Sequence, residues 1–470
     1  MAKILKDVRP FGIRDKLGYL FGDFGNDFTF IFSTTILMKF YTDVMGISAG
    51  VVGTVMMIAR FADAFTDVTM GRICDRSKGN KNGKFKPWIL RMCGPVAVTS
   101  FLIYQSGLQN LPTWAKIAYL SVTYILWGSV FYTAINIPYG SMASAISSEP
   151  ADRQSLSTFR TMGGVFAGVI IGVGLPIFAY KKNEAGKEVL MGNRVTLIAG
   201  IFSIFAIICY LLCYYLITER VRPETNETDR KKNSTGKMLS DALKNRALIS
   251  IIAASIVVLL AQLTMQNMAG YVFPEYYNNA TAQSLSSIFM LVSMTASALI
   301  TSSITKRIGK AETSVFSAIF AAVVSIVMYL LRPESVWIYI VLQSLCWFGL
   351  GMFSMVSWAL ITDVIDYAEI RNGIREDGVV YALYSFARKL GQAFASGISG
   401  WLLTFIGYNE SAANAGISQT TQVLDGIYDI STLVPAAGFI LLAVILWFWY
   451  PLHKKQVDEN VRILKNKRNE

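Results

Sequence analysis

Val51-Val-Gly-Thr-Val-Met-Met-Ile-Ala-Arg60-Phe-Ala-Asp63-Ala-Phe-Thr-Asp67-Val-Thr-Met-Gly-Arg-Ile73 is the stretch on which the fold turns. It is apolar and long enough to be one helix, yet it carries two aspartates four residues apart. Four residues is about one helical turn, so Asp63 and Asp67 share a face with Cβ atoms roughly 5–6 Å apart. In a membrane-spanning helix a central charge costs about 2.5–3.5 kcal/mol even on the lenient insertion scale. Two like charges at that separation also repel unless a cation lies between them. The spacing therefore predicts that something positive visits the pair. The plainer alternatives are a pair at a water-exposed helix end, or one tied to nearby Arg60. Asp27, Lys39, Arg160, Arg388 and Lys389 also fall inside apolar stretches, which weighs toward function.

The bulk numbers agree with a membrane setting. The chain has 470 residues, 53% of them hydrophobic and 16% charged, and a mean hydropathy of +0.44. About 20 apolar residues span a bilayer. On that measure the spans are predicted at 18–41, 46–73, 88–107, 114–145, 157–180, 194–217, 248–277, 283–305, 312–331, 336–365, 379–407 and 426–451. The net charge of +12 raises the question of nucleic acid, but its distribution excludes that partner. With the amino terminus placed in the cytoplasm, about 32 of the 43 Lys and Arg lie in tails and loops on that side, the positive-inside signature. Both termini are then cytoplasmic, in a multi-pass bacterial cell-membrane protein. The five cysteines lie in or beside spans without paired spacing and read as free thiols. The single histidine, His453, lies in the C-terminal tail, which excludes a His-based relay, a zinc site of HExxH type or a Ser/His/Asp triad within the membrane.

The polar segment from Thr218 to Asn245 splits the chain, with six spans on either side. The predicted class is an all-α polytopic membrane protein: residues 1–217 form one six-helix bundle, 218–247 a cytoplasmic linker, 248–451 a second bundle and 452–470 a tail. Two such halves are the layout of the major facilitator fold, where substrate binds near the midplane. The basic run Arg230-Lys231-Lys232 reads as a tether beside anionic lipid. The loop Gly71-Arg-Ile-Cys-Asp75-Arg76-Ser-Lys-Gly79, followed by Gly83-Lys-Phe-Lys-Pro-Trp88, fits a gate at a helix end. Lys306-Arg307-Ile-Gly309-Lys310 is its faint echo in the second half.

Six strings in this order carry a resemblance: Phe40-Tyr-Thr-Asp43, Arg60-Phe-Ala-Asp63-Ala-Phe-Thr-Asp67, Gly83-Lys-Phe-Lys-Pro-Trp88, Asn136-Ile-Pro-Tyr139, Asp363-Val-Ile-Asp366-Tyr367 and Arg388-Lys389. Together they resemble the glycoside–pentoside–hexuronide cation symporter family, typified by melibiose carriers, over essentially the whole chain. The resemblance implies a cation site at Asp63, Asp67 and Thr133, with Thr66 where melibiose carriers place Asn. If the coupling ion is Na⁺, Asp63 and Asp67 are its metal ligands. Lys389 matches a coupling lysine close to that site. Asp27 and Arg160 match sugar-binding residues, Asn26, Asn136 and Arg388 are candidates beside them, and Tyr139 and Tyr384 are candidate apolar faces for a sugar ring, with packing as their alternative. Arg153, Asp363 and Asp366 match members of a cytoplasmic ion-pair gate, and Glu369, Arg371 and Arg375 are expected to join its ion pairs.

Elementary chemistry is compatible with these roles. Hard cations prefer oxygen ligands, and an ionised carboxylate accepts hydrogen bonds from adjacent sugar hydroxyls. Tyr41, Tyr132, Trp358 and Tyr381 offer further apolar faces, although aromatic side chains in membrane proteins also serve packing and interfaces. Glycines 163, 164, 168, 172 and 174 are expected to permit close helix contacts. Melibiose carriers have Lys at Asn26 and Asp at Asn136, whereas Asn136 and the Arg388-Lys389 pair resemble glucuronide, pentoside and sulfonated-sugar carriers. Those carriers show Asn at Asp27, so the substrate evidence is split between neutral and uronic glycosides. Arg388 has an alternative as the partner of Asp27 or another carboxylate. The implied activity is symport of a small-molecule sugar with Na⁺ or H⁺ by alternating access, without covalent chemistry, organic cofactor or obligate protein partner. The rival on the same fold is a proton-coupled or lipid carrier acting on a non-sugar amphiphile.

Overall fold

The computed structural model describes residues 3–4, 9–77, 79–80, 83–222, 245–372 and 377–468. Arg375 and the run Arg230, Lys231 and Lys232 lie outside the described residues, as does the side chain of Asp75. Among the described residues twelve helices reach 18 residues or more. They are α1 Ile13–Lys39, α2 Ala49–Arg76, α3 Lys86–Ile103, α4 Thr113–Ile146, α5 Pro150–Ala179 and α6 Gly192–Leu216. In the second half they are α7 Arg246–Tyr276, α8 Ala280–Ile308, α9 Lys310–Leu331, α10 Val336–Asn372, α11 Asp377–Phe405 and α12 Thr421–Trp449. Nine of them are apolar enough to cross a membrane by length and composition. The exceptions are α1, α3 and α11, and α1 and α11 are the helices that carry Asp27 and the Arg388-Lys389 pair. Two small antiparallel pairs interrupt the helical pattern: β1 Lys3–Ile4 with β4 Val221–Arg222, and β2 Tyr180–Lys182 with β3 Glu188–Leu190.

The chain divides into two compact units: Met1–Asp229 with Leu403–Gln419, and Arg230–Leu402 with Thr420–Glu470. In the first unit α1 packs on α5 and α6, α3 on α4 and α6, and α2 on α4. A Cβ at Gly163 would lie 2.4 Å from the Leu20 carbonyl and one at Gly164 2.6 Å from Asp27 Oδ2, whereas Gly168 and Gly174 meet nothing nearer than 3.8 Å. Only part of the glycine run in α5 is therefore at a helix contact. Gly71, the first residue of the string read as a gate, has open space around it.

The Gly83-Lys-Phe-Lys-Pro-Trp88 string has a local cause. At a helix start the first backbone N–H groups lack intrahelical partners. Here the Glu219 carboxylate accepts from Lys84, Phe85 and Lys86 N–H at 2.6, 2.9 and 2.7 Å. Gly83 adopts φ 123°, and a Cβ there would sit 2.5 Å from Glu219 Cδ, so glycine is the residue that fits. Nearby, fully buried Asp15 pairs with Arg220 Nη2 and Arg9 Nη2, both at 2.9 Å. These contacts fasten the start of the segment after α6 to the end of the bundle where α1 begins.

At its opposite end, the first unit takes in the connector between α11 and α12. Lys39 and Asp43 form a buried ion pair at 2.7 Å. The Tyr408 hydroxyl donates to Asp43 Oδ1 at 2.8 Å and accepts from Lys39 Nζ at 3.2 Å. Asn414 donates to the Asp43 and Val44 carbonyls at 3.0 and 2.8 Å. Glu410 and Thr404 accept from Ala49 N–H and Gly50 N–H, both at 2.8 Å, and so cap the first turn of α2.

In the second unit α7 packs on α12, α9 on α10 and α12, and α8 on α10. Close contact again needs glycine: a Cβ at Gly351 would lie 2.2 Å from Ser297 Oγ, and one at Gly438 2.8 Å from Ala261 Cβ. The C-terminal helix Lys454–Arg468 packs against α10. Large apolar side chains such as Leu197, Leu299, Leu330 and Phe405 are exposed, which suits helices surrounded by lipid. All five cysteines are buried.

Candidate functional site

The second and fourth helices build an oxygen-rich site from matched registers. Within α4, Leu126–Tyr132 form a π turn, and the Thr133 hydroxyl donates to the Gly128 carbonyl five residues back at 3.2 Å. Such turns re-aim side chains and are frequent at functional sites. Here two hydroxyls one turn apart meet two carboxylates one turn apart. Ser129 Oγ donates to Asp63 Oδ1 at 2.5 Å, and Thr133 Oγ1 donates to Asp67 Oδ1 at 2.8 Å. Gly128 keeps the approach open, since a Cβ there would already lie 3.4 Å from Asp63 Oδ1. Arg60 donates to Asp63 Oδ2 at 3.2 Å, and its guanidinium rests over the Phe30 ring at 4.9 Å. The arginine therefore does tie Asp63, while Asp67 is half-buried and held by Thr133. Thr66 turns its hydroxyl onto the Asp63 backbone carbonyl at 3.2 Å, toward its own helix and away from the carboxylate.

The second cluster of this unit lies between α1, α4 and α5. Arg160 Nε donates to Asp23 Oδ1 at 2.9 Å. Asp23 was not among the predicted site residues. Asp27 lies one turn further along α1, and Gly164 faces both carboxylates, 2.6 Å from Asp27 Oδ2 and 3.3 Å from Asp23 Oδ2 when a Cβ is added. Asn26 and Asn136 come together, with Asn26 Nδ2 donating to Asn136 Oδ1 at 3.4 Å and accepting at Oδ1 from the Tyr210 hydroxyl at 2.9 Å. Tyr139 is fully buried. Its hydroxyl donates to the Tyr19 carbonyl at 2.6 Å, its ring stacks on Tyr19 at 4.7 Å, and the Arg160 guanidinium covers it at 5.3 Å. That ring therefore supports the arginine and does not offer a free face. Tyr132 stacks on Phe30, and Tyr41 is buried with its hydroxyl on the Ile103 carbonyl. Both are packing residues.

In the second unit the Arg388 guanidinium lies 5.9 Å from the Trp358 ring and 6.0 Å from that of Tyr384, a cation–π arrangement. Trp358 also stacks with Tyr381 at 6.1 Å. Lys389 takes part in an interaction of its own, as do Asp366 and Glu369. Asp363 is buried and accepts from Lys310 Nζ at 2.5 Å. Lys310 belongs to the loop read as a faint echo of the first-half gate. Arg153, in the first unit, donates its Nε to the Ser147 carbonyl at 2.8 Å and so closes the start of its own helix.

Residues 18–454 match the family described as MFS/sugar transport protein. The chain belongs to this family. A relative named as an uncharacterized symporter, YjmB of Bacillus subtilis, is 30% identical over 97% of this chain and 96% of its own. The glucuronide carrier protein homolog of Escherichia coli is 30% identical with the same coverage. The isoprimeverose transporter of Lactiplantibacillus pentosus is 30% identical over 95% of this chain and 90% of its own. These relatives place the chain in the glycoside–pentoside–hexuronide grouping of the major facilitator superfamily. The fold matches solved transporters as well: the inward-open xylose transporter XylE from Escherichia coli superposes with a TM-score of 0.61 at 13% identity, covering 96% of this chain and 98% of that one. The protein is thus a multi-pass sugar transporter from a family of transporters, not enzymes.

Proposed function

We propose that this transporter is a cation-coupled symporter that imports a glycoside across the bacterial plasma membrane by alternating access, with both termini in the cytoplasm. One observation carries the reading: the matched register of Asp63 and Asp67 with Ser129 and Thr133. Carboxylate and hydroxyl oxygens are the donor set a hard cation prefers, and a proton would neutralise the same carboxylates. The sugar site is assigned to the neighbouring Asp27, Asn136 and Arg160 cluster, where carboxylate and amide oxygens accept hydrogen bonds from ring hydroxyls. By linkage, a cation that tightens sugar binding must itself be bound more tightly by the same factor when sugar is present. Lys389 fits the role of coupling residue, and the Asp363–Lys310 pair that of one ion-pair element of the inner gate. The names of the relatives, a glucuronide carrier homolog and an isoprimeverose transporter, support a sugar as cargo. The orientation rests on the distribution of Lys and Arg.

The test is flux into sealed proteoliposomes with an imposed Na⁺ gradient, an imposed pH gradient, or neither, using neutral glycosides, glucuronides and pentosides. Accumulation driven by one of the two gradients is the expected result, lost in Asp63→Asn and Asp67→Asn. Flux that ignores every ion gradient, or concentrative uptake undiminished in both variants, would remove the basis for the assignment. Outward flux of amphiphiles without sugar transport would favour the rival carrier.

A further inference from the structure

Among the described residues Arg160 is the one cation in the first-unit cluster assigned to sugar, and it is already engaged. Its Nε contacts Asp23 at 2.9 Å, with Asp23 largely buried and Arg160 40% exposed. The flat face of the guanidinium lies on Tyr139, and Tyr139 is fixed in turn by its bond to the Tyr19 carbonyl. Arginine is therefore held from the side and from below. Asp27 stands one helical turn beyond Asp23, and Gly164 brings the α5 backbone against both carboxylates. Two acidic side chains and one guanidinium share this patch, so a ligand carrying its own carboxylate meets an arginine already paired with the Asp23 carboxylate and a second acidic side chain beside it. Like charges brought together oppose a wrong partner, which is how a site discriminates by repulsion as well as attraction.

We propose that Asp23 is the charge-selectivity residue of this carrier: by holding Arg160 in an internal ion pair, it reserves the patch for uncharged glycosides and withholds the arginine from uronic acids. Asp23 acts through Arg160 and is a positioning residue. The proposal rests on the reading of this cluster as the sugar site.

The experiment measures binding of matched pairs, p-nitrophenyl glucoside against p-nitrophenyl glucuronide in both anomers, to the purified full-length protein. Wild type is expected to favour the neutral member of the pair. Asp23→Asn releases the guanidinium and is expected to shift the glucuronide-to-glucoside affinity ratio about tenfold or more toward the uronide, since 1.4 kcal/mol corresponds to tenfold. Asp23→Glu keeps the charge and should keep the wild-type ratio. The neutral pair Asp23→Asn with Arg160→Gln should lose the gain and return to within threefold of wild type. It also serves if Asp23→Asn alone is poorly folded, because it leaves no lone charge. The proposal is overturned if wild type binds the glucuronide tenfold more tightly than the glucoside. An unchanged ratio in folded Asp23→Asn overturns it too, as does a selective loss of glucuronide in the neutral pair. Failure of wild type to bind or carry any sugar would instead defeat the symporter reading and leaves a different signature.

Discussion

The Lys39–Asp43–Tyr408 cluster yields the most quantitative test of the architecture. Lys39, Asp43 and Tyr408 are 2%, 7% and 4% exposed, so the pair is cut off from water; the Tyr408 hydroxyl bonds both of its members, and Thr42 Oγ1 also donates to Asp43 Oδ1 at 2.8 Å. Tyr408→Phe removes a donor to Asp43 at 2.8 Å and an acceptor for Lys39 at 3.2 Å. A hydrogen bond to a charged group contributes about 1.5–3 kcal/mol. The two share one hydroxyl, so the expected loss is about 2–3 kcal/mol. Asp43→Asn takes away the carboxylate that offsets the buried Lys39 charge at 2.7 Å and should cost about 3–5 kcal/mol. Adding Lys39→Met to Asp43→Asn removes that charge and should recover much of the loss, because an apolar replacement for a buried ion pair is often neutral. The assay is reversible unfolding of the purified protein in detergent, with wild type, Asp43→Asn, Lys39→Met and their double variant closing one double-mutant cycle and Tyr408→Phe measured beside it. Tyr408→Phe within 0.5 kcal/mol of wild type would refute the reasoning. So would a double variant less stable than Asp43→Asn alone.

Three further outcomes follow from other contacts. Ser129→Ala removes the hydroxyl that donates to Asp63 at 2.5 Å; half-saturation by the coupling cation should rise about tenfold, matching a loss of about 1.4 kcal/mol, and an unchanged cation dependence counts against the site. Gly164→Ala places a methyl 2.6 Å from Asp27 Oδ2 and forces that carboxylate to move. Overpacking of this kind costs about 1–3 kcal/mol, and sugar affinity should drop at least tenfold while the protein still folds; intact affinity would separate Asp27 from the sugar. Glu219→Ala strands three N–H groups at the start of α3 and should lower stability by roughly 2 kcal/mol, visible as a lower melting temperature with the cation and sugar constants unchanged.

Helix number was legible because apolar run length is a strong signal. Helix ends were less so: α10 continues to Asn372, past the predicted end at 365. Its last turns carry Asp363, Asp366 and Glu369, which lower local hydropathy without breaking the backbone hydrogen bonding. The carboxylate pair of α2 was legible from its four-residue spacing, whereas Ser129 was not. A serine in an apolar run is unremarkable until the π turn of α4 points it across to Asp63. Asp23 escaped for a related reason. It stands one turn before Asp27, which a face count reveals, but its partner Arg160 lies 137 residues away in sequence, and no local pattern joins them. The five glycines of α5 looked alike on paper, yet Gly163 and Gly164 lie far closer to α1 than Gly168, whose nearest α1 atom would be 3.8 Å from an added Cβ. Lys310 carried a weak motif signal, and its bond to Asp363 spans 53 residues.

The connector Leu403–Gln419 is encoded after eleven of the twelve long helices yet completes the first compact unit. A ribosome finishes the sixth helix long before Tyr408 exists, so nascent α1 must wait with the Lys39–Asp43 pair uncovered. An amino-terminal half-molecule ending before the seventh helix would share that defect for good. Severing the protein at its midpoint is thus not a clean cut between halves: the first fragment would require a short peptide borrowed from the second to seal its tip.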